Sequence, residues 1–317
     1  MSQARSTLGS PDRNMTGILY VLIGVLAFTI QDVIIKFLSG GYSVHQLVLF
    51  RCLGALPMIL SLLVYEGGVA SFLRAPHLLI SLRSTIQYVS YVLWFLAIAT
   101  ISIADAMTIG FISPLIITAL SGIILGAHVG LSRWLAILAG FAGTVVMLRP
   151  GAGVFEPAAL LVLASAITYA LGAILTRKIG AHASSATMSL NSLLLAILWS
   201  TLAGVFAGDG GWTTSSHPSV QLMFRAWKMP DLHDAALMLS AGVAAGVGMI
   251  VVAQAYRISQ PAVIAPFEYS GMFWALIAGY AVWGQLPDAV SVAGMIVIIG
   301  AGLYIASLEG VRRKVRA

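Results

Sequence analysis

The second half of this 317-residue chain repeats the first half. Residues 101–148 align with residues 258–305 at a constant offset, which pairs Ile101 with Ile258, Ser113 with Ser270, Gly122 with Gly279 and Gly143 with Gly300. Each half holds an odd number of long apolar segments, so two homologous units in one membrane must face opposite ways. Inverted repeats of this kind are typical of carriers that alternate between two openings around a site near the bilayer midplane.

Composition requires a membrane environment. Hydrophobic residues make up 59% of the chain and charged residues 9%, against about 25% charged residues in a soluble domain. Segments of about 20 apolar residues, long enough to cross the hydrocarbon core, are predicted at 16–38, 43–65, 79–99, 103–126, 131–148, 157–177, 184–207, 234–256, 260–283 and 288–307. The expected fold is therefore an all-α integral membrane protein with ten transmembrane helices, arranged as two inverted five-helix repeats.

The domain organisation follows from these segments. We expect an N-terminal tail over 1–15, a first repeat over 16–149, a second repeat over 157–307 and a basic tail over 308–317. Arginine and lysine are concentrated on one side of this layout, which by the positive-inside rule predicts cytoplasmic termini in a bacterial inner membrane. The same bias explains the net charge of +6, so no nucleic-acid partner is expected. The long loop at 208–233 is expected outside, either as an interfacial lid or as a segment anchored at the lipid surface by Trp212 and Trp227.

Two stretches resemble a known family. The segment LVLFRCLGALPMIL at 47–60 and the run over 101–148 are similar to the drug/metabolite transporter superfamily, specifically its EamA-type members. The resemblance covers residues 16–307 and implies a carrier of small metabolites, such as riboflavin, S-adenosylmethionine or amino acids. Members commonly carry Gly-Glu after helices 4 and 9, where this chain has Gly126-Ala127 and Gly284-Gln285. No role is therefore assigned to that glutamate.

The first two spans contain charged side chains. Because a charged side chain at the centre of a membrane helix costs about 2.5–3.5 kcal/mol on insertion scales, each of them is expected to have a partner or a function. Asp32 and Lys36 are four residues apart and share a helix face. They are predicted to form either an ion pair near the outer end or a charged cavity wall and gate. Arg51 stays charged at any relevant pH, so it must meet an acid, a row of carbonyls or an anionic substrate.

The third span carries polar and aromatic residues on one face. Arg83, Gln87, Tyr91 and Trp94 fall within about 80° of one another at helical spacing, with Tyr88 toward the edge. This face is predicted to bind substrate. The alternative is packing, with Arg83 reaching the membrane surface.

The ninth span contains Glu268, the only acid deep in the second half, followed by Tyr269 and preceded by Pro261 and Pro266. Prolines free backbone carbonyls, which is tolerated where a helix lines a cavity. Glu268 is a candidate proton acceptor, counter-ion to Arg51 or Arg83, or contact for a substrate amine. The alternative is a structural ion pair. Tyr269 is predicted to bind substrate beside it.

Enzyme chemistry is not indicated. The sequence has no phosphate-binding loop, its six histidines are dispersed without metal-ligand spacing, and it has a single cysteine, Cys52. We expect no catalytic residue, metal or cofactor.

We predict a secondary-active carrier of a zwitterionic or heteroaromatic solute such as a vitamin, amino acid or nucleoside-like compound, coupled to protons or exchange through Glu268, Asp32 and Lys36. The alternatives are a channel-like facilitator and an intramembrane transferase. The expected partners are the solute and the lipid bilayer, with the protein a monomer or homodimer.

Overall fold

The computed structural model of the chain describes residues 11–66, 68–125, 130–148, 156–179, 183–213, 217–259 and 264–316. Within these ranges all regular structure is helical. The first part comprises α1 (Pro11–Leu38), α2 (Val44–Tyr65), α3 (Gly68–Leu73), α4 (His77–Ile98), α5 (Ile103–Gly110), α6 (Ser113–Leu125) and α7 (Leu131–Leu148). The second part comprises α8 (Ala158–Ile179), α9 (Ser185–Ala207), α10 (Pro218–Phe224), α11 (Leu232–Ile258), a 3-10 turn (Ala265–Tyr269), α12 (Ser270–Trp283) and α13 (Ala289–Arg316).

Seven helical stretches in the described ranges are long and apolar enough to cross a membrane. They are Met15–Leu38, Val44–Tyr65, Ile103–Ile124, Leu131–Leu148, Ala158–Thr176, Ser185–Ala207 and Leu232–Tyr256. Many large apolar side chains on these helices are exposed on the outside of the bundle, where lipid is the solvent that suits them. The chain is therefore a multi-pass membrane protein.

The helix boundaries depart from the sequence expectation at both termini. α1 begins at Pro11 and α13 continues to Arg316, through most of the segment expected as a basic tail. Leu, Glu, Arg and Lys dominate that segment, and all are good helix formers. Residues 1–10, Gly126-Ala127 and Pro261 lie outside the described residues.

Several long helices begin at a polar cap. The side chains of Ser43, Ser102, Ser184 and Asp231 accept hydrogen bonds from backbone N–H groups in the first turns of α2, α5, α9 and α11. A capped first turn satisfies N–H groups that have no partner within the helix. Ser102 also donates to Asp105 (2.7 Å), an acid in the first turn of α5 that complements the positive end of the helix dipole.

Two apolar stretches are interrupted in the same way. α5 ends at Gly110 and α6 begins at Ser113, while the 3-10 turn precedes α12. Pro114 is the second residue of α6, where its missing N–H costs little but where it prevents α5 from running on. The two interruptions meet, since the rings of Phe111 and Tyr269 lie 4.7 Å apart between centroids.

The helices pack in pairs across the two halves. α1 packs against α11 and α12, α2 against α9 and α11, α4 against α8 and α9, α6 against α8, and α7 against α13. We call the end of the bundle where α1 and α4 finish the Lys36 end, and the opposite end, where α4 begins, the Arg83 end.

Residues 217–231 cap the Lys36 end. In this segment, the Ser219 hydroxyl donates to the Leu96 carbonyl (2.9 Å) and Arg225 donates to the Ser39 carbonyl (2.6 Å). Trp227 packs so tightly against α9 that a Cβ at Gly204 would lie 2.6 Å from its ring. The Trp227 ring therefore packs on the bundle, whereas Trp212 is 63% exposed.

The hydroxyl of Tyr42 ties the α1–α2 turn to α11 at the same end. It donates to Asp234 (2.6 Å), and the Lys228 ammonium lies 4.6 Å from the Tyr42 ring centroid. The hydrogen bond to this carboxylate raises the pKa of Tyr42 to about 12. The tyrosine therefore keeps its proton, and remains a donor, at physiological pH.

Candidate substrate cavity

A cavity of about 240 Å³ lies among α1, α4, the α5–α6 break and α8. Most of its wall is apolar and aromatic, with a small polar set on α1, α4 and α8. The aromatic lining comprises Phe28, Tyr91, Trp94, Phe95, Phe111 and Tyr169, and the principal polar lining comprises Gln31, Asp32, Gln87, Ser90, Ser113 and Ser165. Apolar walls with a few convergent polar groups are typical of small-molecule sites.

The acid of the cavity is linked to a buried arginine through an amide. Gln31 donates from its Nε2 to Asp32 Oδ1 (2.9 Å), and its Oε1 accepts from Arg51 Nε (2.6 Å). The Arg51 guanidinium lies 4.7 Å from the Tyr91 ring centroid, and Trp94 is a further polar neighbour of the Asp32 carboxylate. Arg51 itself does not line the cavity. It contacts two lining residues, Gln31 and Tyr91, on the side that faces away from the cavity.

Lys36 does not pair with Asp32. Its ammonium donates to the carbonyls of Ile98 and Ile101 and lies 5.3 Å from the Trp283 ring centroid. The predicted ion pair is wrong because the carbonyls at the C-terminus of α4, which have no helical partners, offer this cation a closer site. Lys36 thus joins α1, the α4–α5 connection and α12 at one end of the bundle.

The face of α4 predicted to bind substrate divides into two parts. Gln87, Tyr91 and Trp94 line the cavity. The Gln87 side chain is 7% exposed, and no described residue forms a hydrogen bond with its amide. Ser90 and Ser165 exchange hydrogen bonds through hydroxyls and carbonyls (2.9–3.2 Å), which fixes α4 against α8 beside this amide.

Tyr88 lies away from the cavity. Its hydroxyl contacts His45 Nδ1 (2.7 Å) and accepts from Ser200 (3.4 Å). The ring is buried among α2, α4 and α9, so the structure assigns it to packing. Tyr88 lies at the edge of the polar face of α4, so its side chain points to His45 of α2 and Ser200 of α9 and not to the cavity.

Arg83 and Glu268 lie toward the Arg83 end, outside the residues that line the cavity. Arg83 donates to the hydroxyls of Thr176 (2.6 Å) and Ser192 (2.9 Å). Glu268 accepts a hydrogen bond from the Tyr256 hydroxyl. Among the described residues neither side chain forms an ion pair, so the prediction that Glu268 is the counter-ion of Arg83 or Arg51 is wrong.

Tyr269 also lies beside the cavity and not in its wall. Its ring contacts Phe111, which does line the cavity, and its hydroxyl fills the space that a side chain at Gly302 would need. The residue therefore supports the wall at the meeting point of the two helix breaks.

Sequence reasoning missed Gln31 and Ser165. The signal for Gln31 was its position next to an acid in an otherwise apolar span. Ser165 carried no such signal, because a single serine in an apolar helix most often bonds to its own backbone.

The described helices and the cavity are those of a multi-pass membrane protein with an internal pocket of small-molecule size. Residues 15–149 match the EamA-like transporter family. This match and the full-length relatives below support the expected resemblance to the drug/metabolite transporter superfamily.

Three relatives are similar over nearly their whole length. The S-adenosylmethionine uptake transporter of Rickettsia prowazekii is 24% identical, covering 92% of this chain and 92% of its own. The riboflavin transporter of Vibrio cholerae is 26% identical (93% and 94%), and the pseudopaline exporter CntI of Pseudomonas aeruginosa is 24% identical (90% and 93%). A protein of known crystal structure superimposes with a TM-score of 0.62 at 17% identity, covering 91% of this chain and 96% of its own, which shows a shared fold.

Proposed function

We propose that this protein is a secondary-active carrier of a small amphipathic metabolite in the bacterial inner membrane, with both termini in the cytoplasm. The cavity carries the proposal, because it brings together one acid, an amide that has no hydrogen-bond partner among the described residues and a set of aromatic rings inside a membrane bundle. Transport by alternating access requires such a site between two halves that move against each other.

The packing of the helices supports two inverted five-helix repeats. Exchange of the two halves pairs each element of the first half with one of the second. It maps α1 onto α8, α2 onto α9, α4 onto α11, α5–α6 onto the 3-10 turn with α12, and α7 onto α13. The contact of α1 with α11 then becomes that of α8 with α4, and the contact of α2 with α11 becomes that of α9 with α4; each of these pairs is present. The α5–α6 break likewise falls opposite the 3-10 turn at the offset found in the sequence.

The cavity chemistry favours a flat solute that carries a cationic or zwitterionic group. Asp32 is the charged residue of the lining, and aromatic faces attract cations as well as heteroaromatic rings. Gln87 offers both a donor and an acceptor. The names of the relatives, which include carriers for S-adenosylmethionine and riboflavin, support an organic metabolite of this kind.

The two ends of the bundle differ in a way that supports a gated path. At the Lys36 end the lysine is 9% exposed and cross-links three elements, and residues 217–231 lie over it. Toward the other end, Tyr169 lines the cavity and is 47% exposed. In the proposed topology, the cross-links at the Lys36 end support closure of the path on the outer side.

A thermal-shift screen of the purified protein against metabolites tests the proposal. A ligand at 100 times its dissociation constant stabilises the folded state by about 2.7 kcal/mol. We expect Tyr91→Ala and Asp32→Asn to lose the ligand-induced shift while the ligand-free melting temperature changes little. A ligand that stabilises both variants as it does the wild type would place its site elsewhere.

A further inference from the structure

Residues 217–231, which we call the strap, make the Lys36 end of the bundle different from the Arg83 end. The strap belongs to the connection between α9 and α11, at 208–231, whereas the equivalent connection between α2 and α4 is the much shorter segment 66–76. Two inverted repeats with equal connections would have similar ends. The additional chain therefore gives the Lys36 end a covering element that the repeat itself does not require.

The C-terminal part of the strap is bound to the turn between α1 and α2. Arg225 donates to the Ser39 carbonyl (2.6 Å). The Gln46 amide donates to the Lys228 carbonyl (2.5 Å), and the Lys228 ammonium lies 4.6 Å from the Tyr42 ring centroid. Because the strap also continues directly into α11, this part is fixed both by the chain and by several separate contacts.

The N-terminal part of the strap lies on the end of α4. The Ser219 hydroxyl donates to the Leu96 carbonyl (2.9 Å) and lies 3.0 Å from the Thr100 hydroxyl. Below it, Leu222 is 1% exposed and packs in the main apolar core. Both of these polar contacts run through one serine hydroxyl, so a single bond donor ties the strap to the end of α4.

Lys36 bridges the same two elements as the strap. It extends from α1 and donates to the carbonyls of Ile98 and Ile101, at the end of α4 and just beyond it. The cavity has α1 and α4 in its wall, so a path from the cavity to this end requires the ends of α1 and α4 to separate. That separation must break the Lys36 contacts and one of the two attachments of the strap.

We propose that the strap is the gate at this end of the path. It leaves α4 at Ser219 each time the cavity opens at the Lys36 end, and it stays with the α1–α2 turn and α11. A neutral hydrogen bond contributes little net stability, so the attachment to α4 can be made and broken in every cycle, as lid movements in other proteins are. The inference rests on the proposed function, because a gate acts only on a path that opens.

A disulfide between the strap and α4 tests the gate. Because the Thr100 and Ser219 hydroxyls lie 3.0 Å apart, cysteines at these two positions can be joined by mild oxidation; the native Cys52, which is 1% exposed, is replaced by alanine. Oxidised Thr100→Cys/Ser219→Cys protein is expected to show counterflow reduced about tenfold or more, since opening then limits the cycle. A membrane-permeant reductant should restore it.

Two controls accompany the disulfide. The single variants Thr100→Cys and Ser219→Cys, treated with the same oxidant, should retain counterflow. The oxidised double variant in detergent should retain the ligand-dependent shift in melting temperature, because neither position lines the cavity and the other end of the path can still open. The disulfide is then shown to stop movement and not binding.

Access of a thiol reagent to the cavity is a second readout that does not depend on transport. Ser113 lines the cavity, and Ser113→Cys in the Cys52→Ala protein is treated with a membrane-impermeant maleimide, in intact cells or inverted vesicles, whichever exposes the Lys36 end. Ser219→Ala is expected to raise the labelling rate about threefold or more, as loss of one hydrogen bond implies. Thr213→Ala is the matched control, because its hydroxyl donates to the Phe224 carbonyl within the same loop (2.7 Å).

Two results would overturn the inference. The first is undiminished counterflow when mass spectrometry shows that the Thr100–Ser219 disulfide has formed, because the strap then need not leave α4. The second is equal labelling of the cavity cysteine in Ser219→Ala and Thr213→Ala. Wild-type protein that shows counterflow with no metabolite would contradict the proposed transport function instead. In that case, or if the double-cysteine protein fails to fold, the labelling comparison decides whether the strap gates the cavity.

Discussion

Gln31 is the residue that makes the charged centre of the cavity possible. Its amide accepts from Arg51 and donates to Asp32, so that a cation and an acid are both satisfied without contacting each other. A direct Arg51–Asp32 ion pair would neutralise the acid and withdraw it from the cavity wall. The amide therefore keeps Asp32 available to a solute.

Replacement of this amide gives a prediction at the residue scale. We expect Gln31→Leu to lower the free energy of unfolding by about 1–3 kcal/mol, because the Arg51 Nε and one Asp32 oxygen lose their partner in a buried site. Denaturant or thermal unfolding in detergent measures the change. Gln285→Leu, at an exposed position, is the control, and equal stability of the two variants would contradict the linking role of Gln31.

The residue scale also shows what sequence alone can predict. Polar and aromatic groups inside a membrane span need a reason to be there, which predicts Gln87, Tyr91 and Trp94 on a substrate-binding face and Asp32 in an ion pair or a cavity wall. All four line the cavity. The partners were less predictable. Helical spacing suggested that Lys36 pairs with Asp32, whereas its partners are carbonyls in the α4–α5 region, distant in sequence; local spacing carries no information about such groups.

At the scale of elements, α2 and α11 approach closely through glycines. An added Cβ would lie 2.1 Å from the Leu239 carbonyl oxygen at Gly54 and 2.1 Å from the Arg51 carbonyl oxygen at Gly242. Small residues let membrane helices pack backbone against backbone. This contact also positions the turn of α2 that carries Arg51 behind the cavity.

We expect Gly242→Ala to destabilise the protein by about 1–3 kcal/mol, because the methyl group meets backbone that cannot move without separating the helices. Gly300→Ala is the matched control: an added Cβ there has no heavy atom within 4 Å, and alanine favours a helix over glycine. Melting temperatures of the two variants in detergent decide the point. A loss of stability in Gly300→Ala as large as in Gly242→Ala would refute the close-packing argument.

Element boundaries were predictable where physical chemistry is local. The starts of α2, α5, α9 and α11 coincide with serine or aspartate caps. The α5–α6 break was not predicted, although Pro114 follows it directly in the sequence. Whether a proline kinks a span or divides it depends on the neighbouring helices that replace the lost hydrogen bonds, and these are set by the tertiary fold.

At the scale of the whole molecule, the inverted-repeat proposal requires both termini on the same side. A reporter fused after Ala317 is expected to be active only in its cytoplasmic form. The same reporter inserted after Asp209, in the connection between α9 and α10, should be active only in its external form. A C-terminal reporter found outside while an N-terminal reporter is found inside would remove the inverted arrangement, since an odd number of spans would then separate the termini.

The most direct test of the central claim is counterflow in proteoliposomes, with the metabolite that best stabilises the purified protein. If the cavity is an alternating-access site, uptake of labelled solute is saturable, is accelerated by unlabelled solute preloaded inside, and is lost in Tyr91→Ala despite normal folding. Liposomes without protein provide the background. Flux that rises linearly with concentration and is unaffected by preloading would contradict the carrier account, because a continuously open path does not need solute on the far side to return.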